Sequence, residues 1–219
     1  MVTWRMAGKS KRESVATRNP DRTRERILTA ALTEFAARGF AGARVDAIAR
    51  RASINKRMLY HYFGNKNELF RAILHQKIAE RQSWGASSSG NPEETLPFWF
   101  KTACNDIEWI RLLEWEALQA GEKIVDKKQR RAAVANSLER VRLRQQRGQL
   151  SREFDPRHLF LTMLSLTMFP AAFPQLTRLI TGQSVSDQKF QRERAEFLEK
   201  FAETLRPKDV VNVEIQFAK

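Results

Sequence analysis

A single cysteine, Cys104, among 219 residues excludes an internal disulfide and any site built from cysteines alone. Its apolar neighbours Trp99 and Phe100 make it a small buried hydrophobe rather than a redox sensor. Only three histidines occur. His75 and His158 have no partner at metal-ligand spacing, and His61, between two tyrosines, reads as an exposed or capping residue, so no metal is expected. No glycine-rich phosphate loop and no Ser/His/Asp or Cys/His set is present. No catalytic residue and no cofactor are therefore expected, and the chain does not read as an enzyme. No apolar run reaches the length of about 18 residues needed to span a bilayer. The most apolar stretch, residues 159–173, is interrupted by Thr162, Ser165, Thr167 and Pro170. The N-terminus lacks the apolar segment of a secretory signal. A cytoplasmic chain with no membrane partner is the expectation.

What the chain has in excess is positive charge. Thirty-nine Lys and Arg against 25 Asp and Glu give +14, and residues 1–82 hold 18 of those bases but only seven of the acids. That leaves +11 in little more than a third of the chain and +3 in the rest. Such asymmetry is the footprint of an N-terminal unit that meets a polyanion, nucleic acid above all. Hydrophobic residues make up 42%, enough for a packed core.

The apolar residues recur at three- and four-residue spacing and predict an all-α fold of about nine helices. Residues 1–21 read as a flexible basic arm. A first helix from Arg22 carries Ile27, Leu28, Ala31, Leu32, Phe35 and Ala36 and stops at Gly39. A short helix follows over 45–52, with Val45, Ile48 and Ala49 inward. Asn55 caps a third over 56–62, and Gly64 ends it. Asn65 and Glu68 resemble a capping box opening a helix to about Gln82. A flexible interruption is expected over 85–91. Asn91-Pro92-Glu93-Glu94 then marks a helix start, and further helices are expected over 98–107, 109–119 and 127–147. Another begins at Asp155-Pro156 and runs to about Met168, where Pro170 and Pro174 are expected to break or kink it. A short piece to Ile180 and a last helix opened by Ser184 and Asp187 complete the pattern. The tail after Pro207 is left open.

Two short helices joined by a turn of three or four residues have the spacing of a helix-turn-helix, whose second helix enters the DNA major groove. Residues 24–74, with ILTAALTEFAARGF, VDAIARRA and LYHYFGNKNELF, closely resemble the DNA-binding domain of TetR/AcrR-type transcriptional regulators, element by element and without a gap. The resemblance implies a helix-turn-helix domain over 22–68, a ligand-binding and dimerisation domain over 69–219, and a homodimer on a palindromic operator in double-stranded DNA. It also implies a repressor released by a small-molecule effector. By position it makes Lys56, Arg57 and Met58 the base readers, and Tyr60, Tyr62, Lys66 and Arg44 phosphate contacts. Three departures stand out: Arg44 replaces the usual Thr or Ser that caps the second helix, Ser53 replaces a turn glycine, and Arg57 replaces a small residue.

In the second half, Trp99, Trp109, Trp115, Met163, Phe169 and Phe173 fall on helices that, by resemblance, surround an effector cavity. If they line a pocket they imply an apolar or aromatic ligand, and ordinary core accounts for the same residues; Glu108, Glu114 and Glu116 are either orienting groups or solvated. Phe190, Phe197, Leu198 and Phe201 form a stripe on the last helix, where the resemblance puts the dimer interface; ordinary core accounts for the same pattern. A sequence-tolerant architectural DNA-binding protein and an activator of the same fold stay open as alternatives.

Overall fold

The computed structural model describes residues 19–87, 91–120 and 124–207. The expected basic arm, apart from Asn19–Asp21, and the tail after Pro207 lie outside those residues. Ten α-helices occur among them, and no strand: α1 (Pro20–Gly42), α2 (Val45–Arg51), α3 (Lys56–Phe63), α4 (Lys66–Ser87), α5 (Pro92–Asn105), α6 (Ile107–Ala120), α7 (Lys127–Gln146), α8 (Pro156–Ala172), α9 (Pro174–Thr181) and α10 (Gln188–Glu203). The count exceeds the expected nine because the short piece after Phe173 is a full helix. No single helix among the described residues is long and apolar enough to cross a membrane.

Local chemistry sets most boundaries. α1 begins at Pro20, two residues ahead of expectation, because the Asn19 side chain accepts from the amides of Asp21 and Arg22. Gly39, at φ 67°, kinks α1 before its last turn. At Asn65 half of the capping box forms. Its side-chain oxygen accepts from Glu68 N at 2.9 Å, while the Glu68 carboxylate turns to Arg71. α4 runs on to Ser87, through Gly85, where an interruption was expected. α10 starts only at Gln188, with Asp187 as its cap accepting from the Ser184 amide at 2.7 Å.

Pro170 does not break α8, which continues to Ala172. A proline cannot donate to the carbonyl four residues back, and here Arg194 of α10 donates to that Leu166 carbonyl at 2.9 Å. The break falls at Phe173, directly before Pro174, the second of the two prolines expected to interrupt the helix, and α8 and α9 meet there at 90°.

Two cores result. The first joins α1–α4 to α6 around Ile27, Phe35, Leu59, Leu69 and Ile110. The Phe35 ring lies 5.0 Å from Phe70 and 6.0 Å from Phe40. Leu69, Phe70, Ile73 and Leu74 of α4 belong to this core, so no break in packing follows residue 68. The second core is built on Leu96, Phe100, Met163, Phe190 and Leu198, where α5 packs on α8 and α10.

Candidate nucleic-acid interface and cavity

Helix α3 is amphipathic in the simplest way. Leu59 and Phe63, four residues apart, are buried against the first core, and Arg57, Tyr60 and His61 stand on the opposite, exposed face. Asn55 fixes its start by accepting from Met58 N at 2.7 Å. The turn before it is tied down by Ser53 N to the Arg50 carbonyl and Ile54 N to the Ala49 carbonyl, both 3.0 Å. The Arg26 guanidinium of α1 donates to the carbonyls of Ala52 and Ser53. Sequence reasoning missed this staple, because one arginine in a basic segment carries no sign that it bonds to a turn 26 residues away.

Ser53 occupies the left-handed region at φ 52°, the conformation for which glycine is usual. A side chain there costs about 1 kcal/mol or more. Ser53→Gly is therefore expected to raise stability by about 1 kcal/mol, read as a higher melting temperature; a lower one would show that the serine side chain supports the turn.

Arg44 makes no capping bond to α2, as its chemistry dictates. Glu34, only 4% exposed, compensates in part by accepting from the Arg44 amide at 3.3 Å, and it also pairs with Arg38. Its charge lies next to the positive end of α2.

The sequence-derived DNA contacts separate into two groups. Arg44, Lys56, Arg57 and Tyr60 are exposed, whereas Met58, Tyr62 and Lys66 are partly buried. Lys56 pairs with Asp46 at 3.1 Å, an exposed ion pair that phosphate can replace at little cost. The Lys66 ammonium donates to the Ala41 carbonyl at 3.3 Å and sits 4.9 Å from the centre of the Phe40 ring. Burial lowers its pKa below the ordinary lysine value, against the pull of the Glu34 carboxylate. Lys66 thus joins the ends of α1 and α4 as well as facing outward.

In the second half, helices α4 to α8 enclose a cavity of about 300 Å³. Trp99, Trp109 and Phe160 supply aromatic walls, and Arg81, Arg130 and Arg140 reach its lining. Arg81 lies 4.4 Å over the Trp109 ring and bonds Asp106 at 2.9 Å; Lys77 bonds the same carboxylate at 3.1 Å. Burial alone would raise the Asp106 pKa, but the bonds from Arg81 and Lys77 outweigh it and hold the carboxyl below its usual range.

Four of the six expected ligand contacts stand elsewhere. Met163 is fully buried in the second core. Phe169 and Phe173, 40% and 53% exposed, pack on each other with tilted rings 5.0 Å apart. Trp115 donates from Nε1 to the Ala36 carbonyl at 3.1 Å and borders a separate cleft beside Phe40 and Phe70. The candidate orienting glutamates are not among the lining residues of the cavity. Glu108 accepts from Thr33 at 2.8 Å and Glu116 pairs with Arg130. Burial raises the Glu114 pKa, opposed by Arg111.

The aromatic stripe on α10 also divides. Phe190 and Leu198 are buried in their own chain, Phe190 6.1 Å from Phe100, so neither presents an interface. Phe197 is half exposed and stacks on the partly buried Phe201 at 6.2 Å. Cys104 packs beside the second core, and burial pushes its thiol up to about 11, which keeps it from forming a thiolate.

Comparison with known proteins bears on both halves. Residues 27–73 match the family described as "Bacterial regulatory proteins, tetR family", and residues 99–203 match "Tetracyclin repressor-like, C-terminal domain". The HTH-type transcriptional repressor SCO4008 of Streptomyces coelicolor is 31% identical over 173 residues, 77% of this chain and 88% of that protein. The HTH-type transcriptional repressor NicS of Pseudomonas putida is 32% identical over 119 residues, 51% of this chain and 56% of NicS. Among solved structures, the putative transcriptional regulator SCO4942 of Streptomyces coelicolor superposes with a TM-score of 0.70 at 26% identity, covering 85% of this chain and 99% of that one.

Proposed function

Because the chain belongs to the TetR family of DNA-binding transcriptional regulators, we propose that it acts as a homodimeric repressor of a palindromic operator, released when a small molecule enters the cavity between α4 and α8. The observation that carries this reading is the α2–α3 pair, with Arg57 exposed on a capped, well-anchored α3. In a dimer, two such helices address successive major grooves. Lys56 and Met58 read bases beside Arg57 in this reading, and Arg44, Tyr60, Tyr62 and Lys66 are the phosphate contacts. Residues 22–68 read the DNA, residues 69–219 carry effector and dimer contacts, and α4 is shared. The exposed apolar side chains Leu161 and Phe169 on α8 and Phe197 on α10 support a dimer face on these helices.

Release works as a population shift. Helix α6 turns Trp109 and Ile110 to the cavity and, through Glu108 and Trp115, bonds to Thr33 and Ala36 of α1. A ligand that prefers a displaced α6 therefore moves α1 and, through the Arg26 staple, α3. Half-site spacing changes and operator affinity falls.

The test compares a full palindrome with one whose second half-site is scrambled. Loss of affinity by a factor of about a hundred or more is expected, and equal affinity would contradict the dimer. Lys66→Ala is expected to weaken all sequences alike and to flatten the dependence of log K on log salt by about one unit. An unchanged slope would leave Lys66 with its structural role only.

A further inference from the structure

The cavity is lined by three arginines and by no carboxylate. Two of them are answered from behind the wall, Arg81 by Asp106 and Arg130 by Glu116. Arg140 is not. It donates to Ser137 Oγ at 3.0 Å, and among the described residues no carboxylate forms an ion pair with it. One turn further along α7, Arg144 is buried to 8% exposure. Burial lowers the pKa of both guanidiniums, and the charge of Arg140 lowers that of Arg144 further. A guanidinium remains charged under these conditions, so Arg140 brings to this end of the cavity a positive charge with which no carboxylate of the described residues forms an ion pair. Trp99, Trp109 and Phe160 add aromatic faces to a lining that is otherwise mostly aliphatic.

We propose that the effector is an anion on an apolar, aromatic body, and that Arg140 receives its negative group while the tryptophans hold its rings. This deepens the reading of the cavity as the effector site and rests on it. A carboxylate suits the fork of a guanidinium, which offers two parallel N–H donors. A cationic ligand is disfavoured, since it would meet Arg140 across a cavity with no acid in its lining.

The experiment is calorimetric titration of the full chain, without DNA, by three probes of one shape: 2-naphthoate, 2-naphthamide and 2-naphthylmethylammonium. The naphthoate is expected to bind at least about tenfold more tightly than the amide, the worth of a hydrogen bond to a charged group, and the ammonium more weakly than either. Arg140→Gln should reduce naphthoate affinity to that of the amide and leave the amide unchanged, while Arg140→Lys should restore part of the preference. The proposal is overturned if the amide or ammonium matches the naphthoate, or if the preference survives in Arg140→Gln. It also falls if none of the three binds the folded chain, because the cavity is then no receptor. Binding in the expected order supports the charge assignment even where the DNA complex survives, an outcome that would overturn only the release reading.

Discussion

Arg57→Ala is expected to weaken operator binding by a factor between about 30 and 10⁴. A guanidinium that reads guanine contributes about 1–3 kcal/mol per half-site, and a dimer counts it twice. The loss should fall on one base position in each half-site, so that binding to random duplex barely changes. Arg57 is exposed and forms no ion pair among the described residues, so thermal stability should be unaffected. The measurement is affinity for the operator and for every single-base variant of it, beside a melting curve. Unchanged discrimination at all positions would remove Arg57 from the base readers and leave the specificity to Lys56 and Met58.

Phe35→Ala is expected to weaken operator binding by a different route. Phe35 is fully buried, with Phe40 and Phe70 packed on its ring, and truncation of such a side chain costs about 3–5 kcal/mol. For a chain of this length that corresponds to a melting temperature lower by roughly 10 °C. Because the first core holds α3 through Leu59 and Phe63 and also reaches Trp109 and Ile110 at the cavity, DNA and effector binding should decline together. A variant that melts normally yet loses DNA binding would show that the core does not position α3 as described. The two substitutions thus separate contact from scaffold: the first changes affinity at constant stability, the second changes stability itself.

The legible parts of this protein are those set by neighbours in sequence. Asn55 before Lys56 and Gly64 after Phe63 fix helix ends through bonds that span three or four residues, and the structure follows them closely. The buried faces of α1 and α2 were readable for the same reason, as was the absence of a side-chain cap at Arg44. What escaped depends on elements far apart. Pro170 reads as a break until Arg194, 24 residues later, is found satisfying the Leu166 carbonyl. An apolar spacing says which face of a helix is buried, not which neighbour buries it. Met163 and Phe190 therefore go to the second core rather than to cavity or interface, and Phe169 stays outside. The charges at the cavity were not legible, because only the fold brings the glutamates Glu108 and Glu116 to Thr33 and Arg130 and Arg140 of α7 to the cavity.

The central claim is sequence-specific DNA recognition by a dimer, and selection of bound duplexes from a random pool at physiological salt tests it most directly. An enriched palindrome, with half-sites centred about one helical turn apart or a multiple of it, is the predicted result. Tight, salt-sensitive binding with no enriched sequence would contradict the account and favour a sequence-tolerant DNA-binding protein.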